Sequence, residues 1–316
     1  MTVTPAPTAP SGSSLTRPGR RAGRIREPPP AGVSRTAGYY FVALYVALLV
    51  LLGIAPAAYA IYLSLAANSG GGIASAFHAA FSDYRFWPAF GHILIFMAMW
   101  LISQTLLVVG LVLMMHNMSQ RAGSVFRFLF YIPGALAGAA SVIVWLFMLD
   151  PTASPFAFVL HWLGYTVFDN TIAPNNLAAI FALMAFWTGA GGWIVVMYGA
   201  LNNIPHELIE AAQIDGSNAF QTAIRIKLPL IRKWVVYMLL LSFAGGTQLF
   251  VEPTVLGGAS LGIGITKYWS PNQLGWFVAS QYNQYNEAAA ISVMLLVLGL
   301  IVAALLVWRG RLFEVD

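Results

Sequence analysis

The chain contains no cysteine. Disulfides, thiolate nucleophiles and cysteine-based metal sites are excluded with it. Charge is scarce too. Asp, Glu, Lys and Arg make up 9% of the 316 residues, against about 25% in an ordinary soluble domain. There is no GxxxxGK[ST] run to cradle phosphates, and no spacing suggests a buried nucleophile, base and acid. The five histidines, His78, His92, His116, His161 and His206, are scattered without metal-ligand spacing and read as structural or interfacial. No cofactor is implied, and no internal repeat is visible. What remains is apolar: 59% of residues are hydrophobic and the mean hydropathy is +0.74. That composition describes an integral membrane protein. The net charge of +5 is no sign of nucleic acid; its position matters more than its size.

Residues 1–38 are rich in Pro, Gly, Ser, Thr and Arg and have no apolar periodicity, which predicts a disordered basic tail. The apolar run behind it starts late and is long, so it reads as a retained first span and not a signal peptide. Six runs are long enough to cross a hydrocarbon core of about 30 Å at about 1.5 Å per residue. They are 39–65, 90–115, 126–149, 177–200, 234–256 and 288–308. Pro133 lies in the third and Gly245-Gly246 in the fifth, where each marks a candidate kink. The chain is thus expected to be an all-α, six-span membrane protein.

Charge sets its orientation. Of 16 Lys and Arg residues, all but Arg85 and Lys267 fall on the side of the tail, the loops between spans two and three and between four and five, and the end of the last span. That side is expected to be cytoplasmic, with both termini on it. On the other side, 150–176 has no Lys or Arg and several aromatics. It reads either as a re-entrant or surface-lying element at the outer interface or as part of an aromatic belt. The glycine-rich stretch 257–284 reads as loop-like and able to fold back into the membrane.

The polar stretch 204–229 breaks this pattern. Pro205 suits a first helical position. Glu207 to Ile214 reads as helix, Asp215-Gly216-Ser217 as a turn whose Asp and Ser can cap the next helix, and Ala219 to Lys227 as a second helix stopped by Pro229. Phe220, Ala223, Ile224 and Ile226 form the apolar side of that second helix. From these residues alone, the stretch is either an ordinary connector or a docking element.

Its residues resemble a known motif. Glu210-Ala211-Ala212, Asp215-Gly216-Ser217 and Ile226-Lys227-Leu228-Pro229, led by Ile204-Pro205-His206-Glu207-Leu208, are similar to the EAA loop of binding-protein-dependent ABC importer permeases. Phe86-Trp87-Pro88-Ala89-Phe90, Phe130-Tyr131-Ile132-Pro133, Val144-Trp145-Leu146-Phe147 and Glu287-Ala288-Ala289-Ala290-Ile291-Ser292 resemble the sugar-type branch (maltose and glycerol-phosphate permeases). The chain departs from the pattern at Ser217, Ala223 and Lys233, and at His92-Ile93 where Asn-Thr is frequent. These departures bear on the solute more than on the family.

The resemblance implies the type I importer permease fold in a cell (inner) membrane, without ATP chemistry of its own. Residues Glu207, Leu208, Glu210, Ala211, Ala212, Asp215, Gly216, Ser217 and Pro229 would couple the chain to an ATPase, with Leu208, Ile209 and Ile214 as apolar contacts. Implied partners are a second, homologous permease in a heterodimer, two cytoplasmic ATPase subunits, an extracytoplasmic solute-binding protein and membrane lipid. The solute would be a sugar; glycerol-3-phosphate, a polyol or an oligosaccharide is the alternative, and a secondary transporter a more distant one. Polar or aromatic groups at membrane depth are the suspects for the substrate path. Gln248 and Glu252 come first, then Trp193, Tyr198, Asn283 and Tyr285. Helix–helix hydrogen bonding or interfacial anchoring would also account for them.

Overall fold

The computed structural model describes residues 35–66, 72, 74–136, 138–260, 262 and 264–310. The basic tail up to residue 34 and Arg311 lie outside the described residues. Two units divide the chain, Met1–Ile54 and Ala55–Asp316. In the first, α1 (Arg35–Leu49) passes into a π-helical turn, Val50–Ile54. Helix therefore begins at Arg35, inside the stretch expected to be tail.

The second unit holds the remaining helices, and no strand occurs among the described residues. It opens with α2 (Ala55–Leu65) and α3 (Ser75–Ser82). Next comes α4 (Phe86–His116), 31 residues long and apolar on every side. It starts four residues before the expected 90. Pro88 is tolerated there because first-turn N–H groups have no helical partner. Asp83 also accepts the Arg85 N–H at 2.8 Å just outside the helix.

The expected third span, 126–149, is not one helix. α5 (Gln120–Tyr131) begins earlier, with Ser119 as its cap, and ends in a 3₁₀ turn, Ile132–Ala135, which contains Pro133. α6 (Ala139–Leu149) follows at a sharp bend. Two short helices, α7 (Ala157–Trp162) and α8 (Phe168–Thr171), occupy the charge-poor stretch after it. Trp162 is 83% exposed, whereas Ile172 is buried in the core. α9 (Leu177–Asn202) is unbroken.

The connector holds α10 (His206–Ile214), α11 (Ala219–Thr222), a π-turn Ala223–Lys227 and α12 (Leu228–Leu230). α13 (Arg232–Gly246) starts after a 66° bend. The expected fifth span, 234–256, is thus two helices: α13 stops at Gly246, and α14 (Val251–Ala259) resumes beyond it. The 257–284 stretch expected as loop contains α15 (Pro271–Tyr282), which starts with a Ser270/Gln273 capping box. Finally α16 (Tyr285–Gly310) runs alongside α2, α3, α13 and α15. Among the described residues, four helices are long and apolar enough to cross a membrane: Val42–Leu65, Phe86–His116, Leu177–Asn202 and Tyr285–Arg309. The number reaches six if each bent pair counts as one span.

The break after α13 has a physical solution. A kinked segment leaves carbonyls unbonded, which is expensive away from water. Here Asn272 Nδ2 donates to the Thr247 carbonyl at 2.8 Å, and Ser270 Oγ donates to the Leu249 carbonyl at 2.8 Å. The start of α15 thus completes the broken fifth segment.

α4 and α9 form the central pair. Ile93, Phe96, Met97 and Trp100 pack with Phe181, Met184, Phe243 and Trp269 in one cluster; Val108, Val112 and Met115 pack with Ile194, Met197, Leu201 and Met238 in another. α9 also meets α5 at very close range. A Cβ on Gly191 would lie 2.2 Å from the Phe130 carbonyl oxygen, so only glycine fits this crossing. Beside it, Gly192 faces open space. Gly191→Ala should therefore destabilise the protein by about 1–3 kcal/mol through overpacking. Gly192→Ala should be neutral or slightly stabilising. Thermal unfolding of both variants in detergent checks the contrast.

Candidate functional site

The connector has two faces. Its inner face is packed: Ala212, Ala223 and Ile231 are buried, and Ile209 and Leu228 rest on the α4–α9 cluster. Its outer face is open. Glu207, Leu208, Glu210, Ala211, Asp215, Gly216 and Pro229 are exposed, with Ser217 half-buried. Ile214 is 86% and Phe220 74% exposed, and Leu208 and Ile224 share this surface exposure. Phe220 is therefore not on the packed side of the second helix, as its spacing suggested. Exposed apolar side chains among carboxylates on one short element are the composition of a docking surface.

Local chemistry explains the shape. Pro205 is the residue before α10, one position earlier than expected, and His206 starts the helix. α10 ends in a turn where the Ser217 N–H donates to the Ala212 carbonyl at 2.9 Å. Gly216 holds φ of +85° there, a value that costs other residues about 1–2 kcal/mol. The next cap is Asn218, not Asp215 or Ser217. Its Oδ1 accepts the Gln221 N–H at 2.9 Å, and Gln221 Oε1 accepts the Asn218 N–H at 3.1 Å. Nor does Pro229 stop the helix. It sits in the first turn of α12, where its missing N–H is harmless, and the chain bends at Ile231.

The residues expected along a path are dispersed. Gln248 is exposed in the break between α13 and α14. Glu252, in the first turn of α14, borders a cavity of about 220 Å³ with Ser141, Thr188, Gly134 and Gly138. Trp193 packs edge-on against Tyr237. Tyr198 is buried at the connector end of α9, where the Arg127 guanidinium covers its ring at 3.9 Å. Asn283, with φ of 55°, terminates α15, and Tyr285 Oη lies 3.4 Å from its Oδ1. The structure brings Glu252 to the broken third segment but does not gather the six residues into one site.

Gln104 was not singled out by its sequence. It is fully buried in α4, facing Gly189, and neither amide atom has a partner among the described residues. Ser242 of α13 is also buried with its hydroxyl unpaired. The signal was available in both cases: a polar residue in an apolar span is costly and marks a position worth reading.

The opposite end of α4 carries a cation cage. Arg85 pairs with Asp83, and its guanidinium stands 5.1 to 5.8 Å from the ring centres of Tyr84, Tyr268, Phe277 and Tyr282. Burial raises the Asp83 pKa, but the bonds to Arg85 outweigh it and hold the carboxyl below the usual range. At about 1.5 Å per residue, α4 separates this cage from the connector by about 46 Å.

No family model matches the chain. Curated relatives do. The chain is 31% identical over 197 residues to the diacetylchitobiose uptake system permease protein NgcF of Streptomyces coelicolor, covering 61% of this chain and 55% of that one. It is 27% identical over 185 residues to the arabinooligosaccharides transport system permease protein AraP of Bacillus subtilis, covering 57% of each. It is also 27% identical over 217 residues to the sn-glycerol-3-phosphate transport system permease protein UgpA of Salmonella choleraesuis, covering 66% and 72%. The match thus spans little more than half the length of the first two relatives. In fold, the chain matches the crystal structure of a bacterial ABC transporter involved in import of the acidic polysaccharide alginate. The TM-score is 0.72 at 18% identity, over 89% of this chain and 96% of that one. The same values hold for that transporter bound to its alginate pentasaccharide-loaded periplasmic protein, with 97% of that chain covered. In sequence the chain is thus similar to permease proteins of saccharide and sn-glycerol-3-phosphate transport systems, and in fold to a bacterial ABC transporter.

Proposed function

We propose that the chain is a permease subunit of an ATP-driven sugar importer. It forms half of a translocation pathway with a second, homologous permease. The observation that carries this reading is the two-faced connector: an inner face packed on α4 and α9, and an outer face of exposed Leu208, Ile214 and Phe220 beside Glu207, Glu210 and Asp215. The ATPase subunit would receive the outer face. Closure of its nucleotide-binding dimer would then move the connector, and the spans with it, as semi-rigid bodies. The connector would be cytoplasmic, between the fourth and fifth of six spans. A solute-binding protein would meet the opposite end, near the Arg85 cage.

For the path, Gln248, Glu252 and the buried Gln104 are the polar groups we assign to solute or to the helix contacts that open around it. Trp193, Asn283 and Tyr285 are secondary. A neutral sugar suits amides and a carboxylate better than a phosphorylated solute does. Glycerol-3-phosphate stays as the second reading, because several of the relatives are permease proteins of sn-glycerol-3-phosphate transport systems.

Two outcomes test these assignments. Gly216→Leu should leave the protein inserted but lower the ratio of uptake to ATP hydrolysis by about 3- to 30-fold, the range for a coupling position. Transport at the native ratio in reconstituted vesicles would sink the docking reading. Gln248→Ala should change the apparent affinity or rate of saccharide uptake. Unchanged affinity, rate and specificity would remove Gln248 from the path.

A further inference from the structure

The connector is tied to the central helix pair by one buried cation. Lys227 is 4% exposed. Its Nζ donates to Asn117 Oδ1 at 2.8 Å and lies 2.9 Å from His116 Nδ1, which accepts when the ring proton is on Nε2. His116 is the last residue of α4 and Asn117 its C-cap. His116 also faces Tyr198 of α9, with the two ring centres 5.9 Å apart. Three elements therefore converge on one point: the connector, α4 and α9.

The chemistry of the joint is unusual. A buried ammonium loses its hydration and needs partners in return. Here no carboxylate forms an ion pair with it among the described residues. Two neutral acceptors hold it, helped by the negative end of the α4 dipole. Such bonds are short and directional, so they fix position, whereas apolar packing is non-directional and allows sliding. The rest of the inner face offers small or apolar contacts such as Ala212, Ala223 and Ile209. Beside the lysine, the seam is not packed shut. A cavity of about 410 Å³ opens there, bordered by His116, His206, Gln213 and Lys227 and also by Ile209 and Ala219. Lys227 crosses the edge of this gap.

We propose that Lys227 is a positioning residue: a strap that makes α4 and α9 follow the connector when it moves. This rests on the reading that the connector docks on an ATPase. It adds the route by which force leaves the connector.

The test uses the complete transporter in lipid nanodiscs. This chain has no native cysteine, so Arg225→Cys on the connector and Leu106→Cys on α4 give two unique spin labels, with companion subunits free of reactive thiols. Distances are measured without nucleotide and after trapping with ATP and vanadate. With Lys227 present, connector and α4 should move together and the distance distribution should keep its position. In Lys227→Met, which keeps the stem but removes both bonds, the ATPase should still co-purify while the distribution shifts and broadens on trapping. Asn117→Ala, which leaves the lysine in place, should give a smaller shift. Asn117→Asp, which keeps an acceptor, should behave as the native chain. Native behaviour in both Lys227→Met and Asn117→Ala overturns the strap. If Lys227→Met does not assemble, the contrast between Asn117→Ala and Asn117→Asp decides. A native chain that captures no ATPase overturns the functional reading, and the strap's role with it.

Discussion

The structure is governed by the need to bond every backbone carbonyl and N–H where water is scarce. Long unbroken helices meet it internally, as α4, α9 and α16 do. The broken segments meet it with borrowed donors. The gap between α13 and α14 is completed by Ser270 and Asn272, which stand 20 residues and more along the chain. α15 is thus structurally part of the segment it completes. The bend between α5 and α6 lies against α9, where Gly191 and Gly134 let two backbones approach closely.

How much of this was readable follows from what each element depends on. Run length and charge asymmetry depend on composition, so the four unbroken candidate spans were visible within a few residues. The breaks depend on partners far away in sequence. Pro133 and Gly245-Gly246 signalled that something would happen, but not that one segment would fold into a 3₁₀ turn or that the other would stop. α15 was missed although Ser270 and Gln273 carry a capping box, because the surrounding glycines dominated the reading. Asn218 and Gln221 carry another, and there the neighbouring Asp215 and Ser217 drew attention away.

The candidate site was legible in a similarly uneven way. The exposed acids and apolar residues of the connector stand in a contiguous motif, so their chemistry is local. The inner face, and the burial of Lys227 within it, depends on where α4 ends and could not be read from spacing. The path residues were chosen as polar groups in apolar runs. The same rule picks out Gln104, which stands between Ser103 and Thr105 in an otherwise apolar run. On the proposed reading, a chain that lines half of a pathway would hold only part of its polar lining.

α4 is held at both ends by cations of different character. At one, Arg85 sits among four aromatic rings; at the other, Lys227 grips His116 and Asn117. A rod fixed at both tips resists twisting and transmits an axial push. If the connector moves as proposed, a pull on the His116 tip would load the aromatic cage at the Arg85 tip, and the tip that yields first would set the order of the motions.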